Sequence, residues 1–239
     1  MENLPLYISV FFALTTLLTL ILFYITIKSS SSKDIRAKAN LIIIILIVWL
    51  MIQAFLSLMN VYNSNLQSLP PKILVFGVFP SVVVIVILFY HKQGKRFVDS
   101  LPLLNITYIN TVRIFVEITL YWLFLNKMLP KLMTFGGVNP DIVCGITAPF
   151  VAYFAFRKSK IKEKMILIWN IISLIILMNI VVLAILSAPS PLQKICFHQP
   201  NIAILYFPFV WLPTFIVPLI IFGHITAIRR LVKSISKIE

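Results

Sequence analysis

Arg113 and Glu117 stand inside an apolar stretch, residues 101–129, that is long enough to cross a bilayer. Residues four apart on a helix lie on neighbouring turns of one face, so these two can pair. Asn110 and Tyr121 extend the stripe with spacings of three, four and four. At about 100° per residue all four fall within an arc of roughly 80°. Arg113 lies near the bilayer middle, where a charge costs at least about 2.5 kcal/mol on insertion scales. The stripe must therefore face protein or water, which puts this helix inside a bundle. Two readings stay open. One is a polar site for an ion, a proton or a small polar ligand, open to the outer side. The other is a mutually neutralised pair that only tethers neighbouring helices. Gln53 and Ser57 on the second span and Asn179 on the sixth should sit at the depth of Glu117, as co-liners or as ordinary interhelical hydrogen-bonding residues.

Asp141, Cys144, Cys196 and His198 form a second group near the expected outer face. These are zinc-type ligands, but their spacing matches no zinc signature, and the reading is against a metal. Cys144 and Cys196 could instead form a disulfide or stand as two unrelated thiols. Asp141 and His198 could serve as an acid–base pair in a membrane enzyme working at the outer face. No Gly-x-Ser-x-Gly, His-Glu-x-x-His, P-loop or Gly-x-Gly-x-x-Gly occurs, so the sequence leans against an enzyme, and no cofactor is expected. His224, beside Gly223 near the inner end of the last span, could titrate or bind a ligand, but reads first as an interfacial residue.

The elements that hold these residues follow from hydropathy. Of 239 residues, 60% are hydrophobic and 12% are charged, half the charge of an ordinary soluble domain. The sequence predicts an all-α polytopic transmembrane bundle as a single domain over 1–239. Its seven spans are at about 4–27, 39–61, 73–90, 101–129, 140–157, 165–186 and 201–228. The N-terminal run reads as a retained first span, with no basic n-region or small-residue cleavage site. The fifth span is short, with 15 uncharged residues between Asp141 and Arg157. Asn139-Pro140-Asp141 supplies a helix start, and Arg157 and Lys158 can snorkel at the far end. The preceding residues 129–139 are expected to dip into the outer interface. Pro208, Pro213 and Pro218 predict kinks in the seventh span, tolerated where neighbours satisfy the freed carbonyls.

Charge sets the orientation. The segments after spans one, three, five and seven hold sixteen of the 21 Lys and Arg residues. The opposite side holds four, Lys72, Lys127, Lys131 and Lys194, and Arg113 is the last. That alternation predicts the N-terminus out and the C-terminus in. The net charge of +14 is then a mark of topology and of anionic lipid headgroups at cytoplasmic loops, not of nucleic acid.

The stretches VRIFVEITLYWLF from Val112 and LMTFGGVNPDIVCGITAPFVAYF from Leu132 resemble the central segment of a group of uncharacterised bacterial multi-pass membrane proteins. In that group a charged residue follows the Thr-Phe, where Gly136 stands here. The resemblance implies a bacterial inner-membrane location and supplies no activity. The retinal lysine of microbial rhodopsins and the Asn-Pro-x-x-Tyr of G-protein-coupled receptors are missing from the last span.

Overall fold

A computed structural model describes residues 4–154 and 160–236, and among them every regular element is helical. The order is α1 (Leu6–Lys28), α2 (Lys33–Ala37), α3 (Ala39–Leu58), α4 (Phe79–Tyr90), α5 (Lys92–Ser100), α6 (Leu103–Ile109), α7 (Val112–Leu125), α8 (Asp141–Phe154), α9 (Lys160–Ser187) and α10 (Val217–Ile235). Short π-helical turns, Leu74–Val78 and Leu212–Ile216, lead into α4 and α10. Among the described residues five helices are long and apolar enough to cross a membrane: α1, α3, the α6–α7 helix, α9, and α10 with its π turn. The helix ending in α4 makes a sixth if it counts as one span with α5, from which it is bent by 91°. The described part of α8 is 14 residues long. Arg157 and Lys158, assigned to snorkel at the end of the fifth span, lie outside the described residues.

Burial identifies the middle of the bundle. Residues inside the protein make up 61% of the α10 span and 50% of the α6–α7 span, against 17% of α3. α10 packs along α9 and also against α6 and α4, while α1 covers α6 and α7. On the inward side of α1, Thr15, Thr16, Thr19 and Thr26 return their hydroxyls to carbonyls four residues back. Each buried hydroxyl is thus satisfied within its own helix.

Prolines shape two helices, and the rest of the bundle compensates. Proline has no N–H for the carbonyl four residues earlier. Pro80 frees the Phe76 carbonyl, which accepts from Gln53 Nε2 at 3.0 Å. Pro218 frees the Thr214 carbonyl, which accepts from Trp49 Nε1 at 3.0 Å and Ser81 Oγ at 2.9 Å. The two π turns cross closely. A Cβ on Gly77 would lie 2.6 Å from Thr214 Cγ2, so only glycine fits. The last long helix also differs from its expected bounds. It begins at the Leu212 turn instead of near residue 201 and runs through Arg229 and Arg230 to Ile235. The segment before it is a cap of turns around Pro208.

The connections gather at two ends. At one, the Ser30 and Ser100 hydroxyls bond at 2.8 Å, and Asp99 on α5 pairs with Arg229 and Lys233 of α10. At the other, Ile202 and Ala203 donate to the Met128 carbonyl, Gln199 donates to the Leu129 carbonyl, and Ser57 donates to the Leu205 carbonyl. The basic segments 29–38, 91–100 and 229–236 therefore share one end. The segments 59–72, 126–140 and 188–211 share the other, the loop end.

Candidate functional site

The centre of the site is a tightened turn. Between α6 and α7 the Arg113 and Ile114 amides bond carbonyls three residues back, at 3.1 and 3.2 Å. Arg113 projects from this turn into the bundle and is 1% exposed. A guanidinium carries five N–H donors and cannot accept, and all five find partners. Nε and one Nη2 proton fork onto the two oxygens of Asp141. The other Nη2 proton faces the Ser173 carbonyl, and Nη1 donates to Asn110 Oδ1 and His224 Nε2.

That last contact fixes a tautomer. His224 Nε2 can accept from Arg113 only as a lone pair, so the proton sits on Nδ1 and points at Asn170 Oδ1, 2.9 Å away. Asn170 Nδ2 in turn donates to the Ile166 carbonyl. His224 is fully buried, and its reading as an interfacial residue is corrected: it belongs to the polar centre.

The partner of Arg113 is also a correction. The intrahelical reading paired it with Glu117, but the ion pair is made with Asp141 at the start of α8. Asp141 gets there because α8 starts inside the bundle. Leu129, Met133, Thr134 and Asn139 of the preceding segment are buried, so that segment turns inward from the loop end, deeper than an interface. α8 then runs close against α7. A Cβ on Gly145 would lie 2.8 Å from Ile114 Cγ1 and 2.9 Å from the Ile114 amide nitrogen. Asn139 closes the corner: its Oδ1 accepts from the Asp141 amide, and its Nδ2 donates to Glu117 Oε1 and to the Met133 carbonyl.

Glu117 is treated differently from Asp141. It is 1% exposed and has one side-chain donor, Asn139. The Phe135 backbone amide lies near the carboxylate. Even so, Oε2 has no hydrogen bond of good geometry among the described residues. A cavity of about 380 Å³ reaches this point. Arg113, Glu117 and Asp141 are its charged floor, and Val116, Leu120, Leu177, Ile216 and Ile220 are among its apolar walls. Exposed Asn65, with Ser68 and Lys72, lines its mouth at the loop end.

The remaining candidates separate. Gln53 is buried but committed, donating to the Phe76 carbonyl and accepting from the Tyr62 hydroxyl. Burial pushes the Tyr62 phenol up to about 12, despite the opposing hydrogen bond to Gln53, so it remains a donor at neutral pH. Ser57 donates to the Leu205 carbonyl. Tyr121 stacks on Phe135 with centroids 5.0 Å apart and does not join the Arg113 network. Asn179 faces outward from α9, so it lines nothing.

The zinc-type group does not assemble. Asp141 is held by Arg113, His198 is exposed, and both cysteines are free thiols. No group of three or more His, Cys, Asp and Glu placed to hold a metal occurs among the described residues. Asp141 and His198 are likewise not brought together as an acid–base pair. The residues that spacing missed are Asn170 and Ser173. They belong to the buried stripe Ile166, Asn170, Ser173, Leu177 and Ile180, and that alternation of four and three was the available signal.

A family model described as a domain of unknown function, DUF8737, matches residues 69–232. That match takes in the whole polar centre and both π turns. The chain belongs to this family. No curated protein and no solved structure matches it.

Proposed function

We propose that this DUF8737 chain is a seven-span integral membrane protein of a bacterial inner membrane, with its N-terminus outside and its C-terminus in the cytoplasm. It binds a small solute or signal molecule in the bundle interior. The sixteen-to-four distribution of basic residues supports the topology, and the sequence resemblance supports the location. The basic end then faces anionic headgroups, and the cavity mouth at Asn65, Ser68 and Lys72 opens outside.

One observation carries the ligand reading. The buried Oε2 of Glu117, unpartnered among the described residues, stands at the wall of a cavity whose other acid is neutralised by Arg113. Ionising a buried acid that has no counter-charge is costly, and a ligand that brings a cationic hydrogen-bond donor offsets that cost. The Arg113–Asp141–His224 network is the rigid floor against which that donor is held.

The probe is n-butylammonium, offered to purified protein in detergent and followed by thermal shift. Wild-type protein is expected to be stabilised by butylammonium and not by butyrate. Glu117→Gln should keep its fold and lose the response. Equal responses in the two proteins, or none in either, would remove the assignment.

A further inference from the structure

The cavity has a second opening. Besides its mouth at the loop end, it is lined by Val78, Val82 and Val86 from the π turn and α4, and by Met178, Val181 and Ile185 from α9. Several of these same residues are open to the outside: Val82 is 45% exposed, Val86 59% and Met178 42%. α4 and α9 both pack on α10, but they are not a packed pair. The gap between them is therefore a groove in the lipid-facing wall, floored by Pro218, Ile221 and Ile225 of α10. It runs from the hydrocarbon to the polar floor at Glu117.

A solute taken only from water needs no apolar side channel. An amphiphile dissolved in the bilayer does, because its chain would otherwise have to pass through water. The charges select the head. Arg113 is fully engaged by Asp141 and its other acceptors. The cavity's other cation, Lys72, stands at the mouth, so an anionic head at the floor would meet Glu117. A head that donates hydrogen bonds and carries positive charge matches the buried Oε2, unpartnered among the described residues.

Resting on the ligand reading above, we propose that the occupant is a single-chain amphiphile with a primary ammonium head. It enters sideways from the bilayer, lays its chain in the α4–α9 groove and places its head on Glu117. The cavity volume falls within the roughly 300–1,000 Å³ of small-molecule sites.

The test uses full-length protein in lipid nanodiscs with two radiolabelled probes, dodecylamine and n-butylamine. Three variants are compared with wild type: Val82→Trp and Met178→Trp, which fill the groove from opposite walls, and Glu117→Gln. Both tryptophan variants should bind dodecylamine about tenfold more weakly, the equivalent of roughly two methylenes lost from apolar burial. Their butylamine binding should be unchanged, which also shows that they are folded. Glu117→Gln should lose both probes.

Dodecylamine binding untouched by both tryptophans, with Glu117→Gln still losing both amines, would overturn the groove and leave the Glu117 site standing. Equal binding of methyl dodecanoate, which lacks a donor head, would overturn the head assignment. Binding of neither amine to wild type would overturn this inference and the ligand reading together.

Discussion

The Arg113–Asp141 pair and the Asp99–Arg229–Lys233 cluster bring the same functional groups together at opposite extremes of burial. In the first, the side chains are 1% and 6% exposed, and every guanidinium proton is used. In the second, they are 26% to 49% exposed and rest at the basic end of the bundle. Desolvation makes the buried pair expensive to form and more expensive to break. Water and salt make the rim cluster cheap in both directions. The buried network therefore specifies how α7, α8, α9 and α10 fit together, whereas the rim cluster only trims the angle of α5 against α10.

Single substitutions test that contrast, and the largest effect is expected at the centre. Arg113→Ala leaves Asp141 without its cation and should cost about 3–5 kcal/mol, measured by unfolding in mixed micelles. Joining it with Asp141→Leu should restore much of the loss, because no orphan charge remains. A double variant no more stable than the single would break the comparison. Next comes Asn139→Ala, which removes the donor to Glu117 and the acceptor for the Asp141 amide. It should cost about 1–3 kcal/mol and loosen the start of α8, visible as faster amide exchange near residue 141.

Asp99→Asn at the rim should cost less than about 1 kcal/mol, and high salt should erase the difference. The smallest effect is a pH dependence. Burial alone would raise the Asp99 carboxyl, but hydrogen bonds from Arg229 and Lys233 outweigh it and hold the pKa below its usual value. The folded state thus holds its proton more weakly than the unfolded chain. The extra stability is present above the unfolded pKa of about 3.9 and fades as pH falls through the lower folded value. Melting temperatures of wild type and Asp99→Asn should converge as pH is lowered from 6 to 3.

Hydropathy located the long helices because a bilayer crossing needs a long apolar run, and Arg113 was placed inside the bundle because lipid cannot hold it. The carboxylate it would choose was not legible. Spacing along one helix reveals Glu117 as a neighbour but cannot reveal Asp141, which arrives on a separate helix after a buried turn. Asn170 and Asn179 make the same point on α9. They are nine residues apart, so at about 100° per residue they point in opposite directions. One bonds His224 and the other is exposed. Nothing local to an asparagine says which side of its helix the partners occupy. The compensation of prolines was legible as a requirement. Its agents, Gln53, Trp49 and Ser81, lie on other elements, and only the fold names them.

The start of α8 inside the bundle has a consequence for biogenesis. Asp141, an acid, sits at its tip and is buried against Arg113. Under the proposed topology such a segment is a poor independent client for the insertion machinery. Its carboxylate acquires a counter-ion only when Arg113 is already alongside, so α7 and α8 should leave the translocon as one hairpin.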